Sequence, residues 1–228
     1  MNTVIEALKG GLIVSCQAAP GNPLHGPQFM AAMARAALQG GAIGLRAEGT
    51  QDVTAVAHAT GLPVIGIRKV GSVADGVFIT PTFQDAEAIA GAGAAIIATD
   101  GTARPRPDGQ GLSSLIKRIH EELALPVMAD VDSVEAADHA QQAGADVLAT
   151  TLSGYTGGLV PSGPDIDLLR ALVRTSALPV IAEGRYWTPE SVVEATEAGA
   201  HAVVVGTAIT NPLEITRRFA AALDAGRS

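Results

Sequence analysis

The sequence predicts a barrel of eight alternating βα units, because two short phrases recur along its 228 residues. A Leu-Pro-Val phrase begins at Leu62, Leu125 and Leu178, and each copy opens an apolar run that ends in a chargeable residue. A glycine-alanine phrase, as in residues 92–94, marks points where a helix gives way to a strand, since glycine suits the left-handed residue that ends a helix. β-Rich runs that alternate with helical spacing indicate a parallel sheet covered by helices.

The elements follow in order. Each proline of the Leu-Pro-Val phrase stops the preceding helix and opens a strand. Several of the predicted helices begin with Asp, Ser, Thr or Pro, as helix starts should. A short strand-like piece, residues 77–79, lies in the loop after the third strand. The predicted strands are residues 12–17, 43–46, 62–69, 95–98, 125–130, 147–150, 178–183 and 202–205. Apolar spacings of three and four residues predict helices at 27–39, 51–60, 84–91, 112–123, 133–142, 164–176, 189–197 and 212–224.

Eight such units form one (β/α)8 TIM barrel over residues 1–228, without a linker or domain boundary. The alternative is a doubly wound open sheet. Such a sheet usually has fewer strands, or a GxGxxG turn after the first one, and the sequence contains no such turn.

Composition excludes several classes of protein. Hydrophobic residues make up 47% and the net charge is −8, so we expect a large core and no binding of nucleic acid. The lone cysteine, Cys16, excludes an internal disulfide and a cysteine-rich zinc site. Glu6 and Lys9 interrupt the first apolar stretch, which is not a signal peptide, and no run approaches the roughly 18 apolar residues of a membrane span. We expect a soluble, cytoplasmic protein.

Active sites of such barrels lie at the carboxyl ends of the strands. These ends consist largely of polar residues and glycines. A single polar strand end could simply face solvent, but eight such ends together indicate a functional site. They are Ser15, Gln17, Arg46, Glu48, Lys69, Thr99, Asp100, Asp130, Thr150, Thr151, Glu183, Gly184, Arg185, Gly206 and Thr207.

Lys69 and Glu183 are the candidate catalytic pair. Asp130 and Glu183 are the fourth residues after their prolines and Lys69 is the sixth, so the period of two places all three on one face. Parity with Ile65 and Ile67 turns Lys69 inward and Arg68 outward. A partly desolvated lysine can serve as a base near neutral pH, with the glutamate as its proton partner. A Schiff-base lysine and a plain salt bridge between the third and seventh strands are the alternatives.

Gly184, Arg185, Gly206 and Thr207 end the seventh and eighth strands and predict a phosphate site, because glycine lets backbone N–H groups approach an anion. The alternative is that the turns themselves require the glycines. Tyr155 follows the sixth strand in a loop where it can cover a ligand. The two acids Asp130 and Asp132 lie on opposite faces of one strand end, so no metal site is predicted.

The chain resembles the N-acetylmannosamine-6-phosphate 2-epimerase family of sialic-acid breakdown nearly end to end. Two segments carry much of the likeness: Gly-Leu-Arg-Ala-Glu-Gly at 44–49 and Ile-Ala-Glu-Gly-Arg at 181–185. The other matching segments are residues 11–18, 63–67 leading to Lys69, 78–82, 128–130, 150–156 and 205–210.

The resemblance implies a cofactor-free inversion at C2 of an N-acetylamino sugar phosphate. It makes Lys69 the catalytic acid/base, with Glu183 working beside it. The implied substrate contacts are Gln17, Arg46 and Asp130, to which Thr151 and Tyr155 are added from their places at and after the sixth strand end. A homodimer is also expected. The rival functions are a phosphate-binding lyase that uses Lys69 as a Schiff base and a non-catalytic barrel that binds a sugar phosphate.

The chain departs from the family pattern in three places. Val70 and Gly71 follow Lys69, where relatives often have Arg-Asp. Asn211 stands before the last proline in place of an arginine, which affects one expected phosphate contact. The aromatic pair Tyr186 and Trp187 lies in the seventh loop, where it can reshape the sugar pocket.

Overall fold

The computed structural model describes residues 2–157 and 160–226. Its eight strands are all parallel, each pairs with the next along the chain, and β8 pairs with β1 to close the barrel. The predicted (β/α)8 fold is therefore confirmed. The strands are β1 (Leu12–Cys16), β2 (Gly44–Glu48), β3 (Val64–Ile67), β4 (Ile96–Asp100), β5 (Val127–Asp130), β6 (Val147–Ala149), β7 (Val180–Glu183) and β8 (Ala202–Val205).

Helices follow the strands as predicted, with two short additions that apolar spacing did not reveal: α1 before β1 and α9 after β8. The segment predicted as one helix over 112–123 is an α-helix that ends in a π-helical turn, Ile119–Leu123. Residues 77–79 contribute one antiparallel bridge, between Lys69 and Ile79. The helices are α1 (Thr3–Glu6), α2 (Pro27–Gln39), α3 (Thr50–Thr60), α4 (Phe83–Gly91), α5 (Leu112–Arg118), α6 (Val134–Ala143), α7 (Ile166–Thr175), α8 (Pro189–Glu197), α9 (Thr207–Thr210) and α10 (Pro212–Ala225).

Two separate cores follow from the alternation of strand side chains. Val14 and Leu45 point outward into the layer between sheet and helices. Ile13, Ile65 and Ile181 point inward and fill the barrel. The inward set continues upward along each strand, so the polar residues that follow at intervals of two emerge at the carboxyl-terminal mouth.

The amino-terminal end of the barrel is closed by the start of the chain. Ile5 and Leu8 are fully buried and pack with the inward core. A ring nitrogen of His201 lies 2.8 Å from the carbonyl oxygen of Ile5, and the N–H of Gly10 donates to the carbonyl of His201 over 2.7 Å. Because these residues close the amino-terminal end, the barrel is open to a ligand at its carboxyl-terminal end.

Lys69 lies inward and Arg68 outward, as parity predicted. Arg68 pairs with Asp85 at 3.4 Å on the helical side. Gly66 faces the same side, where an added Cβ would lie 2.3 Å from Ile89 Cγ2. Close packing of α4 on β3 therefore requires glycine at position 66. The inward positions of β3 are occupied by Ile65 and Ile67.

No helix in the described part of the chain combines the length and the apolar character that crossing a membrane requires.

Candidate active site

A cavity of about 850 Å³ opens at the carboxyl-terminal mouth of the barrel. This volume suits a small ligand such as a sugar phosphate. The predicted site residues that line it are Gln17, Arg46, Lys69, Thr151, Tyr155, Glu183, Gly184, Arg185, Gly206 and Thr207. Asp130 is fully buried and lies beneath this lining.

Arg46 is the centre of the charged network. It projects inward from β2 and is 1% exposed. Its two terminal nitrogens donate to the two carboxylate oxygens of Asp130, at 3.1 and 2.5 Å, and one of them also donates to Glu183. Burial opposes the charge on Arg46, but Asp130 and Glu183 outweigh it and hold its pKa above the ordinary value. The Nε atom of Arg46 is buried and has no hydrogen-bond partner within the described residues.

Thr151 locks the two carboxylates to each other. Its hydroxyl lies 2.7 Å from Asp130 Oδ1 and 3.1 Å from Glu183 Oε2. Thr150 fixes the backbone of Glu183 through its own hydroxyl, which donates to the carbonyl and accepts from the N–H. Two acids thus share one arginine. Burial raises the pKa of Glu183, with Arg46 opposing the shift and the charge of Asp130 adding to it.

Lys69 enters the cavity from the side of β3. Its Nζ atom donates to Gln17 Oε1 over 2.7 Å, and Gln17 Nε2 donates to Ser15 Oγ over 2.9 Å. Lys69 is accessible at the mouth, yet the protein around it lowers its pKa, first through desolvation and then through the charge of Arg46. The carboxylates of Glu48, Glu183 and Asp130 act in the opposite direction.

β3 and β7 are four strands apart in a closed ring of eight, so Lys69 and Glu183 approach the cavity from opposite walls. A ligand between them has a lysine on one side and a carboxylate, paired with Arg46, on the other.

β4 contributes no group to this cavity. Asp100 belongs to the inward set, but its carboxylate accepts from Thr102 and from Arg104, at 2.6 and 2.5 Å. Thr99 donates to the carbonyl of Thr80 at 2.9 Å. Asp100 thus organises the loop that follows β4, whereas Thr99 ties the strand to the loop after β3.

The predicted phosphate end of the cavity is formed by the loops after β7 and β8. Gly184 and Arg185 have positive φ, 114° and 60°. The guanidinium of Arg185 is used within the protein, because Nε donates to the carbonyl of Gly163 and Nη1 to that of Ser153. At Gly206 an added Cβ would lie 3.2 Å from Ser15 Cβ, so β1 approaches closely and a side chain there would be crowded.

Asn211 joins this end of the cavity to the loop after β1. Its Oδ1 accepts from the backbone N–H of Glu214, which caps α10, and from Asn22 Nδ2, both over 3.3 Å. Because Oδ1 is an acceptor in both bonds, Nδ2 is left as a donor on a residue that lines the cavity.

Aromatic residues form the upper wall. Tyr155 is 51% exposed above the cavity, and the guanidinium of Arg185 lies 5.4 Å from its ring centre. Tyr186 is buried. The guanidinium of Arg218 lies 3.8 Å from the ring centre of Trp187. Both members of the unusual aromatic pair line the cavity.

Sequence reasoning named Ser15 and Glu48 among the polar strand ends but assigned neither of them a role in the site. Both line the cavity and both share the inward parity of their strands with Gln17 and Arg46. That parity was the signal that could have found them. In the described ranges, 2–157 and 160–226, no group of three or more His, Cys, Asp or Glu side chains is arranged to hold a metal ion.

Comparison with known proteins points in one direction. Residues 30–225 match a family model described as "NanE: Putative N-acetylmannosamine-6-phosphate epimerase". A relative from Cutibacterium acnes is 48% identical over 223 residues, covering 96% of both chains. One from Caldanaerobacter subterraneus is 47% identical over 218 residues, covering 95% of this chain and 92% of its own. Both are named "Putative N-acetylmannosamine-6-phosphate 2-epimerase".

Solved structures agree. The N-acetylmannosamine-6-phosphate 2-epimerase from Clostridium perfringens superposes with a TM-score of 0.92 at 40% identity, covering 96% of each chain. A thiamine phosphate pyrophosphorylase from Pyrococcus furiosus, at 17% identity and a TM-score of 0.62, shares the fold alone.

Proposed function

The chain belongs to the N-acetylmannosamine-6-phosphate epimerase family, and from this premise we propose that it interconverts N-acetylmannosamine 6-phosphate and N-acetylglucosamine 6-phosphate. One observation carries the proposal. A lysine of lowered pKa and a carboxylate paired with arginine lie on opposite walls of a cavity that ends in glycine-rich loops.

The chemistry requires a base near C2. The C2 proton of the sugar is acidic only beside a carbonyl group, so the ring opens to expose the C1 aldehyde. Lys69 in its neutral form then removes the proton, and negative charge develops on the C1 oxygen. Arg46 lines the cavity, and its positive charge would stabilise that oxygen electrostatically.

Glu183 exchanges protons with the sugar oxygens. Its raised pKa keeps a proton available closer to neutral pH than an exposed glutamate would. Arg46, Thr150 and Thr151 hold it in place, so it has little freedom to follow a moving C2. The long side chain of Lys69 has that freedom. We therefore assign both removal and return of the C2 proton to Lys69, with the open-chain intermediate rotating between the two steps.

The phosphate is assigned to the loops after β7 and β8. Gly184, Arg185, Gly206 and Thr207 would bind it through backbone N–H groups, because the guanidinium of Arg185 already has acceptors in the protein. The Nδ2 donor of Asn211 lies beside them. Gln17, Thr151 and Tyr155 would contact the sugar, while Asp130 acts through Arg46.

The activity is tested by incubation with N-acetylmannosamine 6-phosphate in deuterated water, followed by NMR at C2. We expect the glucosamine epimer to form and to carry deuterium at C2. Lys69→Ala should lose this activity by ~10²–10⁴-fold. Lys117→Ala, at an exposed lysine on α5, is the matched control.

Failure to form the epimer would refute the function, and full activity of Lys69→Ala would refute the site. Borohydride treatment with substrate that labels Lys69 would identify a Schiff-base lyase instead. A single turnover of C2-deuterated substrate in ordinary water tests the assignment to one base. Partial transfer of deuterium to the product supports Lys69 acting alone, whereas complete loss leaves the one-base assignment without support.

Homodimer formation through α10 is part of the proposal. Within the described chain none of the α10 side chains is buried, and Phe219 and Leu223 are 72% and 67% exposed. An apolar helix face of this kind suits a second copy of the chain. Sedimentation should give a dimer for the wild type and a monomer for Phe219→Glu/Leu223→Glu. A monomeric wild type would contradict it.

We also place the enzyme in the cytoplasm, in amino-sugar catabolism.

A further inference from the structure

Lys69 lies beyond the regular end of its strand. The last residue of β3 is Ile67, which is opposite Glu48 of β2. The ladder between them continues for one more bond, in which the N–H of Gly49 donates to the carbonyl of Ile67 over 2.9 Å. Beyond that bond, β2 no longer fixes the backbone that carries Lys69. On the other side, Lys69 forms its isolated bridge with Ile79, so only the side that faces β2 lacks a ladder partner.

The missing acceptor can be identified. In a regular parallel ladder the N–H of Lys69 would donate next to the carbonyl of Gly49. Gly49 instead adopts a φ of 79° and begins α3, where its carbonyl accepts from the N–H of Val53 over 3.0 Å. The start of α3 therefore removes the acceptor that would have held Lys69.

The side chain of Glu48 takes its place. The N–H of Lys69 donates to Glu48 Oε1 over 3.2 Å, and Glu48 lines the cavity beside it. We propose that Glu48 is a positioning residue for Lys69, whose carboxylate replaces the lost ladder carbonyl and fixes the side of the base's backbone that faces β2. This inference rests on the proposed role of Lys69 in proton transfer.

The charge of Glu48 provides a second readout. Desolvation and Arg46 lower the pKa of Lys69, and Glu48 opposes them together with Glu183 and Asp130. On its other side Glu48 acts on Asp52 of α3. Burial raises the pKa of Asp52, the charge of Glu48 raises it further, and His25 acts in the opposite direction. Removing the charge of Glu48 should therefore lower the pKa of Lys69 further.

Two variants of Glu48 distinguish the effect of its hydrogen-bond acceptor from the effect of its charge. Glu48→Ala removes both, and misplacement of the base should reduce kcat by roughly 10–10²-fold with a smaller change in KM. Glu48→Gln keeps an oxygen acceptor and removes the charge. Its kcat should exceed that of Glu48→Ala by about 10-fold, and the acidic limb of its kcat/KM profile should move to lower pH. Glu197→Ala, at the far end of α8, is the control.

The inference is overturned if Glu48→Ala keeps the wild-type kcat, or if Glu48→Gln is impaired equally and its acidic limb does not move. Thermal unfolding of each variant is recorded first. Should Glu48→Ala not fold, the pH profile of Glu48→Gln decides the matter. Lys69→Ala distinguishes the two levels of the proposal, since an active Lys69→Ala refutes the proposed site, whereas an inactive one with an unaffected Glu48→Ala refutes only the role of Glu48.

Discussion

The ammonium of Lys69 donates a hydrogen bond to the side-chain oxygen of Gln17 over 2.7 Å, across the gap between β3 and β1. Ser15 accepts from the nitrogen of the same amide, so the amide orientation is fixed with its oxygen toward the lysine. A neutral amide can hold the lysine in place without neutralising it, and the lysine remains free to gain or lose a proton.

Gln17→Met should reduce kcat by roughly 10-fold, because it keeps the length of the side chain but removes a hydrogen bond to a charged group, worth about 1.5–3 kcal/mol. Steady-state kinetics with the sugar phosphate measure the loss. Gln84→Met, on the exposed side of α4, controls for the substitution itself. Equal kinetics in the two variants would show that the amide does not position Lys69.

The pH dependence follows from the direction of the Lys69 shift. Lys69 must be neutral to remove a proton, and its pKa lies below that of an exposed lysine. Activity should therefore rise with pH through a pKa lower than the ordinary value of a lysine. The chain has only three lysines, so ¹⁵N-lysine labelling resolves their titrations directly. A Lys69 signal, identified by its absence in Lys69→Ala, that titrates at the ordinary pKa of a lysine would refute the prediction.

Arg46→Met should destabilise the protein by about 3–5 kcal/mol, because it leaves the buried Asp130 carboxylate without its partner. Arg46→Met/Asp130→Leu should recover much of this loss while remaining inactive. Chemical unfolding and kinetics on both variants make the comparison. Identical stabilities for the single and double variants would show that the unpaired carboxylate is not the cause.

Two substitutions at Asn211 distinguish its capping of α10 from its proposed contact with the phosphate. Asn211→Asp keeps the oxygen that caps α10 but replaces the Nδ2 donor with negative charge, so KM for the phosphorylated sugar should rise about 10-fold or more with little change in thermal stability. Asn211→Ala should lose about 1 kcal/mol of stability with the cap. An unchanged KM in Asn211→Asp would place the phosphate elsewhere.

Repeated phrases and periodicity were sufficient to predict the fold, since each strand and each large helix carries its own local signal. The same period of two correctly predicted that Lys69 and Glu183 lie on the inward face together with Asp130. The alternation of side chains along a strand shows which way a residue points, but not how deep in the barrel it lies. Strands in a barrel are tilted and staggered, so residues at equivalent strand ends lie at different depths. Asp130 shares the inward face but lies beneath Arg46, which the sequence alone could not indicate.

Two further features depend on backbone turns. Arg185 has a positive φ, and its guanidinium bonds to the carbonyls of Gly163 and Ser153, so its side chain holds a loop and only its backbone N–H remains for an anion. Glu48 acquires its bond to Lys69 only because Gly49 turns its carbonyl into α3. Neither turn is encoded by periodicity. α10 carries the apolar spacing of a packed helix, but its Phe219 and Leu223 stay exposed in the described part of the chain.

Trp187 is the only tryptophan in the chain, and it stands in the wall of the cavity with Arg218 stacked on its ring. The indole emission of the whole protein therefore originates within reach of the ligand. Binding of a sugar phosphate can be followed as a change in intrinsic fluorescence, without a label or a coupled assay. The same signal reports on inactive variants, for which turnover gives no information, and so separates loss of binding from loss of chemistry.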